Sequence, residues 1–187
     1  MFDRDTTHWY PMRVSYSRYS RLMRIKNELD KLNCENYIPM EYRTVNFRVQ
    51  LMPAINNIIF VRTNYKVLSE IRRMSQFVDL RYIMHYVFEG QREASQVLFV
   101  PDRQMTDFIR VSSVHDNRTV YMDNLEYACR PGLNVEIMEG YFAGVKGVVK
   151  RIDGSKCVVV PIKEVAAVDI RNVPSRLLRV LSNEEFE

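Results

Sequence analysis

Apolar and polar positions alternate in several short runs of this chain, and between those runs the apolar positions recur at three- and four-residue steps. The first pattern suits half-buried strands and the second suits amphipathic helices. His8 to Val14 carries Trp9, Tyr10, Met12 and Val14 and reads as a strand, with Pro11 favouring an edge or a bulge. Tyr19, Leu22, Met23, Ile25, Leu29 and Leu32 then form one stripe, which predicts a helix from about Ser17 to Leu32, with Ser17 as its cap and Asn33 as its stop. Strands are predicted over Asn36–Tyr42, Val45–Leu51 and Asn57–Val61, and a helix over Tyr65–Met74. Arg81–Phe88 and Val97–Val100 return to strand character, and Pro101–Val111 opens with proline and aspartate as a packed helix does. Strand and helix in this order predict an α+β sandwich built on an antiparallel sheet.

From Ser112 to Arg130 the periodicity weakens, and the only strand signal is a short one at Thr119–Met122. The chain therefore divides into a tail at 1–7, a first domain at 8–112, a linker at 113–130 and a second domain at 131–187. In the second domain Leu133, Val135 and Ile137 alternate, and Val148, Val149 and Ile152 form a β-branched run. Gly140, Gly144 and Gly147 interrupt the interval, where a small barrel has to turn sharply or bring backbones together. Asp153-Gly154 suits a two-residue hairpin turn, and strands follow at Lys156–Val160, Val165–Ile170 and Leu177–Leu181. The glycines and prolines of this half oppose a helical alternative, since each interior glycine costs a helix about 1 kcal/mol.

Composition narrows the function classes. Of 187 residues 27 are Lys or Arg and 23 Asp or Glu, a net charge of +4. Residues 1–112 hold 17 cations against 12 anions and residues 131–187 hold 8 against 8, so the excess lies in the first half. Fourteen of those seventeen cations are arginine, the side chain best suited to phosphate forks and to stacking on bases. Met1 to Thr7 resembles a frayed tail rather than a signal peptide, and Leu51–Val61 is too short and polar to cross a bilayer, so a cytosolic protein with no membrane association is expected. Cys34, Cys129 and Cys157 are far apart and read as reduced thiols. His8, His85 and His115 lack metal-ligand spacing, and neither a phosphate loop nor a Gly-x-Ser-x-Gly elbow occurs, so no catalytic residue, metal or cofactor is expected.

The stretch Glu139 to Gly154 resembles a KOW module. Together with Trp9-Tyr10 before a basic helix and the strand ending Ile59-Phe60-Val61, it resembles the NusG family of transcription elongation factors over residues 8–181. Met12-Arg13-Val14, Val100 to Met105, Val165 to Val168 and Val173-Pro174 are similar to the UpxY-type antiterminators of capsular polysaccharide loci. The resemblance implies an N-terminal NGN-type antiparallel sheet with flanking helices and a C-terminal all-β, SH3-like KOW barrel. It further implies a factor that grips the clamp helices of RNA polymerase and serves a polysaccharide operon.

By motif position Trp9, Tyr10, Ile58 and Phe60 would build or border the apolar depression that meets those helices, although strand alternation leaves Trp9 and Phe60 open to a core role instead. Where relatives carry Pro-Gly-Tyr, this chain has Asn56-Asn57-Ile58, so an aliphatic side chain replaces an aromatic contact. Specialised relatives read non-template DNA with basic residues on the first helix, which points to Arg13, Arg18, Arg21 and Arg24. A solvated surface is the plain alternative for these arginines. Tyr141, Phe142 and Ala143 would meet a ribosomal protein or a termination factor, or Phe142 would plug the barrel end. The rival reading is a KOW-type RNA-binding or ribosome-associated protein, which the neutral second half disfavours.

Overall fold

The computed structural model describes residues 5–15, 19–89, 92–114, 119–122, 132–152, 155–162 and 165–186. Residues 1–102 form one unit and residues 103–187 a second. In chain order the first contains β1 (Thr7–Val14), α1 (Tyr19–Lys31), β2 (Asn36–Tyr37), β3 (Met40–Val45), β4 (Arg48–Pro53), β5 (Ile58–Asn64), α2 (Tyr65–Arg73), a 3-10 turn at Ser75–Phe77, β6 (Leu80–Tyr82), β7 (Met84–Glu89) and β8 (Arg92–Val97).

The alternation read in the sequence places Tyr10, Met12 and Val14 of β1 and Ile59 and Val61 of β5 on one face of an antiparallel sheet ordered β2-β5-β1-β6. Leu22, Ile25 and Leu29 of α1 and Leu68 and Ile71 of α2 close over that face, with Phe77 filling the end. Each such side chain gains about 1.5–3 kcal/mol by leaving water. The Asn64 side chain caps α2 by accepting from the Val67 N–H at 2.9 Å. Pro11 is not at an edge: β1 lies between β5 and β6. It is accommodated because β6 pairs only with Met12 to Val14, so the missing N–H falls where that neighbour has ended.

Three expected strands are divided differently. Asn36–Tyr42 splits into β2 and the start of β3, and Val45–Leu51 is broken by Asn46 and Phe47, whose φ of 49° and 61° make the two-residue turn of the β3–β4 hairpin. Arg81–Phe88 breaks at Ile83, which leaves β6 in the main sheet and sends β7 into a separate hairpin with β8. The strand expected at Val97–Val100 reduces to the end of β8 and a single bridge, in which the Val100 N–H donates to the Trp9 carbonyl at 2.8 Å.

The second unit holds α3 (Asp102–Ser112), whose first residue closes the first unit, then β9 (Thr119–Met122), β10 (Leu133–Ile137), β11 (Lys146–Ile152), β12 (Ser155–Ile162), β13 (Ala166–Arg171), a 3-10 turn at Ser175–Leu177, β14 (Leu178–Val180) and α4 (Asn183–Phe186). Its six strands form one antiparallel sheet in the order β14-β10-β11-β12-β13-β9. Among the described residues β14 and β9 do not pair, so the sheet is open rather than a closed barrel. The unit is not all-β either, because α3 belongs to it: Arg110 donates to the carbonyls of Tyr141 and Ala143, the Lys146 N–H donates to Asp107, and the Phe108 ring meets Tyr121 edge to face. The division thus falls before α3 rather than after it, and β9, read as part of a linker, is the strand beside β13. Gly147 serves the close approach its position suggests, since a Cβ there would lie 2.6 Å from Val158 and 2.7 Å from the Val159 carbonyl. The Asp153-Gly154 turn, Cys129, residues 1–4 of the tail and most of the expected linker lie outside the described residues.

Candidate binding interfaces

Strand alternation separates the four residues expected to meet polymerase. Tyr10 points into the core under α1 and α2, with no exposed surface, and so does not border a surface depression. Trp9, Ile58 and Phe60 lie on the opposite face, where the register sets Pro11 beside Phe60, Arg13 beside Ile58 and Trp9 beside Arg62. Three of the four are therefore brought together. They do not form an open hollow: Trp9 is 4% exposed, Ile58 5% and Phe60 0%. Arg62 closes one end of the row, donating to Asp102 at 2.9 Å and pairing with Glu35 at 3.1 Å. Those two carboxylates, Asp102 foremost, push its pKa further up. In the loop before β5, Asn57 takes φ 61°, a left-handed conformation that glycine or asparagine adopts most readily.

The basic residues sort differently from the expectation. Arg21 forms an ion pair with Asp79, a carboxylate that is only 6% exposed, and Arg24 stands 3.9 Å from the same group. The Asp79 carbonyl also accepts from the Ser15 N–H at 2.9 Å, tying the start of β6 to the end of β1. Arg21 is thus a structural cation rather than a free one, and of the two Arg24 keeps more of its surface, at 58% of the side chain. Arg18 lies outside the described residues. Arg13 is exposed at the end of the second face, and its partner across the strands is Arg81, also exposed. Sequence reading left Arg81 out because nothing in its neighbourhood shows that residues 13 and 81 meet; only the β1–β6 register does.

In the second unit Tyr141 is 61% exposed, Phe142 is 7% exposed and Ala143 is half-buried. Phe142 is therefore packed in at its end of the sheet, and Tyr141, edge to face with it at 5.2 Å, is the exposed side chain of the three. The loop is held: Gly140 and Gly144 both take φ 86°, Gly144 N–H donates to Ile137 at 2.7 Å, and Arg110 donates to two loop carbonyls at 2.6 Å each. Beside it Tyr141, Phe142, Ile137, Pro174 and Leu177 line a cavity of about 160 Å³.

One further surface escaped sequence reading. Tyr42, Val49 and Leu51 share one face of the β3–β4 hairpin and are all exposed, and Phe47 at its turn is fully exposed. The alternation was visible at Val45–Leu51, but the turn inside it hid which residues share a side.

No helix among the described residues is long and apolar enough to cross a membrane. Among the same residues no group of histidines, cysteines and carboxylates could hold a metal ion. No family model matches the chain, and no curated protein does.

Proposed function

We propose that this chain is a transcription elongation factor of NusG type, similar to the UpxY antiterminators, which binds the clamp helices of RNA polymerase with its first unit and recruits a second protein through its KOW-like second unit. The observation that carries the reading is the two-sided first sheet: α1 and α2 both pack on one face, and Trp9, Ile58 and Phe60 form a contiguous apolar row on the other. A protein helix pair is a fitting occupant for such a row, because aromatic and aliphatic anchors buried at the centre of an interface supply most of its affinity. The left-handed Asn57 supports the correspondence, as it stands where the related factors carry glycine. In the second unit the exposed Tyr141 beside an apolar cavity offers a small anchor for the second partner. Since Trp9, Ile58 and Phe60 are covered in the free chain, engagement requires that face to open.

The test is capture of core RNA polymerase by the intact chain, with a photoreactive residue in place of Arg13, at the exposed end of the row. Captured polymerase crosslinked at its paired clamp helices is the expected result. A folded chain that retains no polymerase, or crosslinks elsewhere on it, would overturn the reading. If polymerase is not captured but residues 103–187 bind structured RNA in a salt-dependent way, the chain is a KOW-type RNA-binding protein instead.

A further inference from the structure

The first sheet ends in an arrangement that is costly unless a ligand uses it. Arg13 of β1 and Arg81 of β6 are direct cross-strand partners, so both side chains rise from the face opposite the α1 and α2 core, with Ile58 on the far side of Arg13. Residues opposed in this way have Cβ atoms roughly 4.5–5.5 Å apart, and like charges there repel. Both arginines are exposed, and among the described residues neither side chain takes part in an ion pair or hydrogen bond. The carboxylate closest along the chain to Arg81 is Asp79, and it is already engaged by Arg21 and approached by Arg24. The corner thus presents two arginines directly opposed across neighbouring strands, near a carboxylate whose charge is met elsewhere.

We propose that Arg13 and Arg81 together form a phosphate fork that takes one phosphodiester of a nucleic-acid strand between their guanidinium groups. Arginine presents its donors in a rigid planar array that matches phosphate oxygens, so two of them at cross-strand spacing can share a single phosphate. Binding removes the repulsion that the free protein carries. This rests on the proposed function only for the source of the phosphate, and it moves the nucleic-acid contact from the flank of α1, where Arg21 is already committed, to the sheet corner.

The intact chain is compared with Arg13→Gln, Arg81→Gln and the double variant, and with Arg48→Gln, an exposed arginine on the β3–β4 hairpin, as control. Thermal unfolding is followed in inorganic phosphate and in chloride at equal ionic strength, and binding of a short single-stranded DNA is followed across a salt series. Phosphate is expected to raise the Tm of the parent and of Arg48→Gln but not of the fork variants. In chloride the fork variants should be at least as stable as the parent, because the repulsion is gone. Their plots of log affinity against log salt should be shallower by about 0.7, the value for one lost contact to a single strand, and the double variant should lose no more than either single one. A phosphate shift that survives in both single variants, or an Arg48→Gln slope that falls equally, overturns the fork. A shift that needs both arginines without any DNA binding overturns the strand as ligand and leaves a free-phosphate site; polymerase capture by the parent chain then tells whether the broader reading stands.

Discussion

Asp169 is the most deeply buried carboxylate among the described residues, at 1% exposure in β13, with Arg171 Nε 3.4 Å from one of its oxygens. Burial pushes its pKa up, and the neighbouring arginine opposes this only in part. A carboxylate whose pKa is raised on folding binds its proton more tightly in the folded state, so ionisation at neutral pH works against folding. That penalty is complete above the folded pKa and vanishes below the ordinary carboxylate range. Asp169→Asn is therefore expected to raise the Tm at pH 7, with the gain shrinking as the pH is lowered toward 3, measured by thermal unfolding across that range. Asp79 is a buried carboxylate held by an ion pair with Arg21. Arg21→Gln should destabilise the chain by about 1–3 kcal/mol, the cost of leaving a buried acceptor without its charged donor, whereas Arg13→Gln should not. Chemical denaturation of the two variants side by side checks this. The contrast shows why a basic run along a helix says little alone: Arg21 and Arg24 meet a carboxylate 58 and 55 positions away, which no local pattern announces.

The β3–β4 hairpin carries a local conflict. Its two-residue turn needs positive φ at both central positions, and it holds Asn46, which tolerates that, beside Phe47, which does not. Phe47→Gly is expected to stabilise the protein by about 1 kcal/mol, the strain a bulky residue carries in the left-handed region. Loss of stability would mean that the exposed ring packs on something the free chain contains. The loop that carries Tyr141 is settled differently, by a helix residue that donates to two of its carbonyls. Arg110→Met keeps the aliphatic stem but strands both acceptors, and faster hydrogen exchange at residues 140–145 is the expected readout. Both elements were half legible. Alternation located the strands and glycine located the turn at 140–144, but an asparagine-phenylalanine pair is not a recognisable turn signal, so nothing local marks the break at residues 46–47.

Grouping α3 and β9 with the last five strands has a consequence for dissection. A fragment beginning at residue 131 keeps strands β10 to β14 yet lacks the helix that holds the 140–144 loop and the strand that covers the edge of β13. Residues 103–187 are expected to unfold cooperatively and to give dispersed amide resonances, and residues 131–187 are not. Equal behaviour of the two fragments would show that α3 and β9 are dispensable to this unit.

Periodicity alone was enough to tell strand from helix along most of the chain, because a side chain's turn about its own backbone is a local property: 3.6 residues for α1 and α2, two for β1 and β5. It was the resemblance of short motifs, not the periodicity, that marked Trp9, Tyr10, Ile58 and Phe60 as candidates for a common surface and Tyr141 for a contact. What periodicity could not supply was which face of β1 the helices would cover, that Tyr10 would lie beneath them, that Arg13 would face Arg81, or that α3 would join the second unit. Each of those depends on a partner tens of residues away. A strand's alternation names two faces without saying which is buried, and the choice is made only when distant elements pack against it.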